Sequence, residues 1–357
     1  MIHYQQGSEA GDLPPLLRPV TLGDLELPNR VVMAPLTRCR ADLAGLIPAG
    51  LHAAYYAQRA SAGLIVAEGT WVSERAIGCY PGVPGIYNDA QVAAWRRVTG
   101  LVHATGGRIV LQLWYTGAGF GPGPAPEVMT IADIRGVISD FGAAAGNARR
   151  AGFDGVEIAA NGTYLLAQFL HPRLNRRRDR YGTDRGRLPR DVVDAATAAW
   201  DGPGRIGVRL SPYWTIRDEP RAQPQPGGYP YTADEETLAG YDDLTAALDD
   251  RELAYLHLRG PAPDATGGEP SFDAVARYRK LFSGPLVANH GFGAGTGNRL
   301  VETGLADAVS FATLFIANPD LVSRFALGHD LAATDRRTYY QGGPRGYIDY
   351  PVWPGSR

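Results

Sequence analysis

Short, almost continuous apolar segments alternate along the chain with longer segments in which apolar residues recur every three or four positions. The apolar segments predict eight strands, at Arg30–Leu36, Gly63–Thr70, Arg108–Trp114, Phe153–Ala159, Arg205–Leu210, Leu253–Leu258, Pro285–Asn289 and Ala306–Phe311. The periodic segments predict a helix after each strand, at Leu51–Ser61, Asp89–Ala104, Asp133–Ala151, Pro189–Trp200, Ala233–Asp249, Phe272–Leu281, Gly297–Thr303 and Leu321–Leu327. Because strands buried on both faces are apolar throughout, this pattern favours a parallel sheet with helices outside it.

Eight successive strand–helix units predict a single (β/α)8 TIM barrel that occupies residues 1–357 as one domain. An open, doubly wound sheet is the alternative, and the even repetition of eight units disfavours it. Two long insertions, Leu170–Arg190 and Tyr213–Tyr231, follow the fourth and fifth strands. In a barrel these positions lie at the carboxyl ends of the strands, where ligands bind.

Composition and charge argue against several other classes of protein. The 357 residues include 35 basic and 37 acidic side chains, a formal charge of −2, so electrostatics gives no reason to expect nucleic acid or a membrane as a partner. Two cysteines, Cys39 and Cys79, exclude a disulfide scaffold and a cysteine-based zinc site. No segment approaches the ~18 apolar residues of a membrane span, and the opening residues lack the pattern of a signal peptide. We therefore expect a cytoplasmic protein that acts on a small molecule, and the sequence leaves its oligomeric state open.

The carboxyl ends of the predicted strands carry polar and aromatic residues, and barrels place their chemistry at these positions. The histidines are isolated and the carboxylates are scattered, so no metal site is predicted. Glu68 and Glu157 are candidates for the facing carboxylates of a glycosidase. A buried salt bridge or hydrogen bond is the favoured interpretation of each, because catalytic pairs are rare.

Three strand-end residues suit a planar heterocycle with several hydrogen-bond donors and acceptors. Gln112 can both donate and accept, Arg209 can place positive charge beside an electron-poor ring, and Thr37 adds a hydroxyl. Glycine-rich turns near the seventh and eighth strands suit a phosphate group. Each residue alone is a weak signal, since a single strand-end arginine is more often part of a structural ion pair.

These residues lie in motifs that extend over nearly the whole chain. The motifs are LPNRVVMAPLTRCRA (Leu27–Ala41), the segment Ala62–Val98 that begins AGLIVAEGTW, LQLWYTG (Leu111–Gly117), AGFDGVEI (Ala151–Ile158), YLLAQFLHPRLNRRRDRYG (Tyr164–Gly182), GVRLSP (Gly207–Pro212), FIANPDL (Phe315–Leu321) and GYIDYPVW (Gly346–Trp353). In this order and combination they resemble the Old Yellow Enzyme family of FMN-dependent ene reductases. The resemblance implies a flavoprotein oxidoreductase that binds FMN, with NADPH as the expected reductant.

The resemblance also implies roles for individual residues. The isoalloxazine ring of FMN would be bound by Pro35, Leu36, Thr37, Gly69, Gln112 and Arg209, and the turn beside its phosphate would contain Asn289, Gly291 and Phe292. Trp114 would line the substrate side, and Tyr164 occupies the position of the family's proton-donating tyrosine. Tyr115 follows Trp114 and is a candidate to donate to a substrate oxygen, although a packing role is an equally good interpretation.

The sequence departs from the family pattern where the substrate is held. After Glu157-Ile158 the family has His-x-x-Asn-Gly-Tyr, and the ungapped alignment puts Ala159 at the histidine and Gly162 at the asparagine. Those two side chains normally hold the substrate carbonyl and the nicotinamide amide, so we expect an altered substrate site. A one-residue shift would bring Asn161 to the asparagine position, but strand register disfavours it.

A second departure from the family pattern affects the residues that would bind the FMN phosphate. The family usually has Phe-Gly-Arg before FIANPD, whereas this chain has Phe311-Ala312-Thr313. Loss of a charge-assisted contact costs ~1.5–3 kcal/mol, so FMN is expected to bind more weakly than is usual. Arg299, Arg324 and His290 are the candidates to replace the missing charge. The connection after Gly117 is also short, which predicts a more open substrate site.

Two hypotheses for the function follow. The first is an FMN-dependent oxidoreductase that tailors a larger, enone-type metabolite in secondary metabolism. The second is a barrel that has lost FMN or its redox use, and that catalyses a cyclisation or isomerisation or only binds a ligand. Retention of Thr37, Gln112 and Arg209 favours the first hypothesis, and loss of the histidine, asparagine and phosphate arginine favours the second.

Overall fold

Eight parallel strands close into a barrel in the computed structural model, which describes residues 13–118, 123–214, 234–261 and 270–353. A short antiparallel hairpin, β1 (Val20–Leu22) and β2 (Leu25–Leu27), precedes the barrel. The barrel strands are β3 (Val31–Met33), β4 (Leu64–Trp71), β5 (Ile109–Trp114), β6 (Gly155–Ala160), β7 (Ile206–Leu210), β8 (Tyr255–Arg259), β9 (Leu286–Asn289) and β10 (Ala308–Phe311). Closure comes from β10, which pairs with both β9 and β3. The predicted (β/α)8 TIM barrel is confirmed, and each of the eight barrel strands overlaps its predicted segment.

Helices cover the outside of the barrel. They are α1 (Gly50–Ala57), α2 (Asp89–Ala104), α3 (Ile131–Arg150), α4 (Leu165–Leu170), α5 (Arg180–Thr183), α6 (Arg187–Trp200), α7 (Glu235–Asp249), α8 (Phe272–Arg279), α9 (Ala294–Glu302), α10 (Thr313–Ala317) and α11 (Leu321–Leu327). The short helices α4, α5 and α10 were not predicted. Every residue of α4 is buried, so its sequence shows no alternation between an apolar and a polar face.

The two ends of the barrel interior differ in polarity. At the amino ends of the strands, Leu22, Leu25 and Leu27 of the β1–β2 hairpin pack into a buried apolar cluster with interior residues such as Val32 and Val110. The hairpin closes the amino-terminal end of the barrel, which is opposite to the end where barrels bind ligands. Toward the carboxyl ends the interior becomes polar, and this polar end forms the base of the candidate site.

The C-terminal segment returns across the mouth of the barrel. Tyr347 is fully buried and stacks on Tyr55 of α1, with ring centroids 4.0 Å apart and an interplanar angle of 12°. Arg38 donates to the backbone oxygens of Tyr339 (2.9 Å) and Gly346 (2.8 Å), which ties the segment to the turn after β3. The segment therefore contributes directly to the walls of the mouth.

The first predicted insertion, Leu170–Arg190, contains α5. Most of the second, Tyr213–Tyr231, lies outside the described residues. No helix within the described ranges is long and apolar enough to cross a membrane. The assignment of residues 1–357 to a single domain stays a prediction.

Candidate functional site

Two adjoining cavities open at the carboxyl ends of the barrel strands, with volumes of about 260 and 150 Å³. Both are lined by Pro35, Thr37, Trp114, Tyr164 and Trp214. The larger also contacts Leu36, Arg38, Tyr80, Thr313, Ile316, Tyr339 and Tyr340, and the smaller contacts Gln112, Asn161, Arg209 and Arg259. A more open groove of about 730 Å³ lies at the opposite end of the barrel, and none of the predicted site residues line it.

The turn Pro35–Thr37 follows β3 and is anchored by a buried carboxylate. The backbone N–H of Arg38 donates to Glu68 Oε2 (3.2 Å), and the Tyr56 hydroxyl donates to Glu68 Oε1 (3.3 Å). Burial raises the pKa of Glu68 to about 7, although the hydrogen bond and charge of Arg38 oppose this shift. Glu68 is fully buried behind the turn and therefore supports the site without facing it.

Gln112 and Arg209 bring an amide and a cation to the floor of the smaller cavity. Gln112 Nε2 donates to Glu157 Oε1 (2.8 Å), which leaves Gln112 Oε1 as an acceptor. Arg209 Nη2 donates to Asn289 Oδ1 (2.8 Å) at the end of β9. Burial lowers the pKa of Arg209 to about 10, and Glu157 opposes this shift, so the guanidinium stays charged at neutral pH.

An aromatic wall faces the floor. Trp114 stacks on Trp71, with ring centroids 4.5 Å apart, and meets the edge of Tyr164 at 4.7 Å. A Cβ atom on Gly69 would lie 2.6 Å from the Trp114 ring, so glycine is needed there for Trp114 to keep its place. Gly69 thus supports the wall, and the structure does not place it among the cavity-lining residues.

The turn after β6 differs from the sequence expectation. Asn161 lines the smaller cavity, whereas Ala159 and Gly162, the predicted substrate contacts, line neither cavity. Ala159 lies beside Arg209 in the β6–β7 register and is 2% exposed. Gly162 has φ +63°, and a Cβ atom there would lie 2.9 Å from the Tyr164 ring.

Tyr115, for which the sequence left a donor role and a packing role open, lies outside both cavities. It is 5% exposed and packs in the hydrophobic core. Burial raises the pKa of its hydroxyl. The packing interpretation fits this placement.

The predicted phosphate turn lies beside the floor. Asn289 donates from Nδ2 to the Ser310 carbonyl oxygen (3.1 Å) while its Oδ1 accepts from Arg209. Gly291 is exposed, Phe292 packs edge-on against Phe272, and neither lines the two cavities.

Of the candidates to replace the phosphate arginine, Arg324 is committed elsewhere, since its buried guanidinium donates to Asp320 Oδ1 (2.8 Å) and to the Asp330 carbonyl oxygen (2.6 Å). Arg299 lies over the Phe272 ring at 5.0 Å. His290 Nε2 is 3.4 Å from Arg259 Nη2, and Arg259 itself lines the smaller cavity and lies 4.6 Å from the centre of the Trp214 ring.

Comparison with known proteins identifies the family to which the chain belongs. Residues 15–121 and 123–331 match the model of the NADH:flavin oxidoreductase / NADH oxidase family. The chain belongs to this family.

Among its relatives, flavin oxidoreductase hxnT of Emericella nidulans is 35% identical over 95% of this chain and 98% of its own length. The 12-oxophytodienoate reductase 1 of Oryza sativa subsp. japonica is 37% identical over 98% of this chain and 96% of its own. The structure of morphinone reductase superposes with a TM-score of 0.85 at 38% identity, covering 96% of this chain and 97% of that one. One solved complex of morphinone reductase contains tetrahydroNAD. The resemblance to the Old Yellow Enzyme family and to flavin-dependent oxidoreductases is confirmed.

The walls of the site fit the family's cofactor, FMN. Its pyrimidine edge carries an N–H donor and carbonyl acceptors, which suit the free carbonyl of Gln112 and the charge of Arg209. The indole Nε1 atoms of Trp114 and Trp214 are buried without a hydrogen-bond partner within the described residues. Both tryptophans line the two cavities, and a buried donor of this kind is costly while it stays unpaired.

Several lining residues escaped the sequence analysis. Trp214, Arg259, Tyr80 and Ile316 line the cavities, and so do Tyr339 and Tyr340 from the far end of the chain. For Arg259 a signal existed, because a charged residue directly follows the apolar run of β8. No cluster of metal-binding side chains is found among the described residues.

Proposed function

We propose that the chain is an NADPH-dependent reductase that adds hydrogen across the C=C bond of a larger, enone-type metabolite. The observation that carries the proposal is the shared cavity: Tyr164 and Trp114 face the same space as Thr37, Gln112 and Arg209. The relatives named for the reduction of 12-oxophytodienoate and morphinone support a carbonyl-bearing substrate. The complex of morphinone reductase with tetrahydroNAD supports a nicotinamide reductant.

In this proposal FMN, when bound, supplies the hydride that adds to one carbon of the alkene. Gln112 and Arg209 hold the pyrimidine edge, and Pro35, Leu36 and Thr37 hold the ring from the turn after β3. The Tyr164 hydroxyl gives its proton to the other alkene carbon, so that one hydride and one proton saturate the bond. Solvent then reprotonates the tyrosinate.

The altered substrate site is part of the proposal. Neither Ala159 nor Gly162 can donate from a side chain, so the carbonyl is not held by the family's usual pair. Asn161 lines the smaller cavity, and its Oδ1 is buried without a hydrogen bond to the described residues. We propose that its amide is the remaining polar group for the substrate or the nicotinamide. Removing one preorganised donor costs ~10²–10³ in rate, so simple enones such as cyclohexenone should be poor substrates. A larger metabolite, as in a tailoring step of secondary metabolism, would gain the missing orientation from its shape.

Tyr164→Phe tests the proton donor. Proton transfer by a positioned side chain contributes ~10²–10⁴-fold, so turnover of an enone should fall by that factor while anaerobic reduction of the flavin by NADPH stays unchanged. Tyr115→Phe is the matched control, since it removes the hydroxyl of a buried tyrosine that lines neither cavity. Unchanged turnover in Tyr164→Phe would exclude Tyr164 as the acid. A colourless protein that binds no FMN would favour the non-redox alternative.

A further inference from the structure

Glu157 is a fully buried carboxylate that the proposed reaction does not use. Its Oε1 accepts from Gln112 Nε2 (2.8 Å), and its Oε2 accepts from the Tyr255 hydroxyl (3.2 Å). His257 Nδ1 lies 2.7 Å from the same Oε2. A buried charge is tolerated only when such partners satisfy it, so this carboxylate is held in one orientation.

His257 connects Glu157 to Arg209. It is fully buried, and its Nε2 lies 2.8 Å from Arg209 Nη1 and 2.7 Å from Ser310 Oγ. Burial and the charge of Arg209 lower the pKa of His257 to about 4, against the opposing effect of Glu157, so the ring is neutral at pH 7. A neutral ring carries one proton. With that proton on Nδ1, His257 donates to Glu157, and the single lone pair of Nε2 is shared by the Ser310 hydroxyl and by Arg209 Nη1, which lies 2.8 Å from Nε2 and 3.0 Å from Nδ1.

The charges in this layer are therefore one anion and one cation. Burial alone would raise the pKa of Glu157, but its partners outweigh burial and lower it, so the carboxyl is ionised. Arg209 keeps its charge at neutral pH, and the imidazole separates the two groups. Both residues predicted to touch the flavin pyrimidine, Gln112 and Arg209, are thus connected to the same carboxylate.

We infer that Glu157 is a positioning residue that fixes the orientation of Gln112 directly, fixes Arg209 through His257, and offsets the charge that Arg209 presents to the flavin. The inference rests on the FMN site of the proposed function. Because one N–H of Gln112 Nε2 donates to Glu157, the orientation of the amide is fixed, and its carbonyl oxygen is available to accept from the N–H of the pyrimidine ring. Without the carboxylate the amide can rotate and present its donor instead.

Two substitutions separate the two effects. Glu157→Gln removes a negative charge near the ring, and the uncompensated Arg209 then favours the anionic reduced flavin. The affinity for reduced over oxidised FMN should rise about tenfold, which for a two-electron couple raises the reduction potential by about 30 mV. Glu157→Asp keeps the charge but is one methylene too short to reach Gln112. It should weaken binding of oxidised FMN about tenfold and raise the potential less than Glu157→Gln.

The test uses the full-length protein and no substrate. The dissociation constant of oxidised FMN is measured by fluorescence quenching with apoprotein, and the potential by redox titration against a reference dye. Tyr278→Phe is the control, because it removes a buried tyrosine hydroxyl that has no hydrogen-bond partner among the described residues and makes no contact with Glu157, Gln112 or Arg209. It should leave both quantities unchanged.

A folded Glu157→Gln protein with the wild-type potential would overturn the charge effect, and wild-type FMN affinity in Glu157→Asp would overturn the positioning effect. If Glu157→Gln does not fold, the aspartate variant alone decides whether Glu157 positions Gln112. A chain that shows these shifts and yet reduces no enone would refute the proposed function and leave this inference standing.

Discussion

Replacing Arg40 with Met should release the C-terminal segment that forms part of the larger cavity. Arg40 is 8% exposed, and the five N–H groups of its guanidinium are shared among six backbone oxygens: those of Gly343 (2.8 Å), Arg38 (2.6 Å), Tyr339 (3.1 Å), Thr338 (2.8 Å), Gln341 (2.6 Å) and Arg345 (3.2 Å). The guanidinium also lies 4.5 Å from the centre of the Tyr347 ring. One side chain thus holds the loop that places Tyr339 and Tyr340 at the mouth.

The free energy lost in Arg40→Met depends on which of these hydrogen bonds water can replace. Only the bonds to the oxygens of Arg38 and Thr338 join fully buried groups, whereas the other four acceptors are partly accessible and can be hydrated. A hydrogen bond to a charged group contributes ~1.5–3 kcal/mol, so two such bonds give ~3–6 kcal/mol. The loss should appear as local opening, because Arg40 makes no hydrogen bond to the barrel strands among the described residues.

Hydrogen–deuterium exchange measures this local free energy directly. In Arg40→Met, exchange of the amides at positions 338–347 should accelerate by ~10²–10⁴, while the strands keep their protection. Arg337→Met is the matched control in the same segment, since its side chain is 82% exposed and pairs only with Asp335 among the described residues. It should change stability by less than ~1 kcal/mol. Unchanged exchange in Arg40→Met, or equal loss of protection throughout the barrel, would refute the reasoning.

Three further substitutions test other parts of the account. Burial raises the pKa of Glu68 to about 7 from 4.5, so the folded chain holds a proton that the unfolded chain releases, and this carboxyl makes stability fall as pH rises through that window. In denaturant titrations, the free energy of unfolding of Glu68→Gln should therefore rise relative to that of the wild type by up to about 3 kcal/mol between pH 5 and pH 8. A difference between the two proteins that does not change with pH would contradict the assignment. Thr313→Arg should tighten FMN binding about ten- to a hundredfold and leave riboflavin binding unchanged, and equal gains for both ligands would place the phosphate elsewhere. Gly162→Ala should cost about 1–2 kcal/mol and also lower turnover by displacing Tyr164, because the new Cβ meets that ring. Gly106→Ala is its control, with φ +84° but open space around the Cβ, and should cost stability without changing turnover.

The barrel could be predicted because its strands are buried on both faces. Strand β4 is buried at every position, and its first four residues, Leu64–Ala67, leave a continuous apolar run in the sequence. The β1–β2 hairpin was missed, since strands of three residues are too short to show alternation. The same limit applies to α5 and α10.

Predicted residues on strands and in the turn after β3 line the cavities, whereas the lining residues Trp214, Tyr339 and Tyr340, which lie outside the strands, were not predicted. Gln112, Trp114 and Arg209 reach the cavities because strand register fixes their direction. Asn161 lines the smaller cavity and Gly162, which has a positive φ, does not, and a sequence pattern does not reveal the conformation of such a turn. The segment that contains Tyr339 and Tyr340 is held at the mouth by contacts that include those of Arg38 and Arg40 with Tyr339, about 300 positions away in the sequence.

The central claim is that Gln112 and Arg209 hold an FMN whose hydride reaches an enone beside Tyr164. The most direct measurement follows the flavin absorbance of the purified protein under anaerobic conditions, first with NADPH and then with a bulky α,β-unsaturated ketone. The account predicts that NADPH bleaches the flavin band, that the ketone restores it, and that the recovered product carries a saturated C=C bond. A flavin that NADPH reduces but no enone reoxidises, or a protein that binds no FMN, would contradict it.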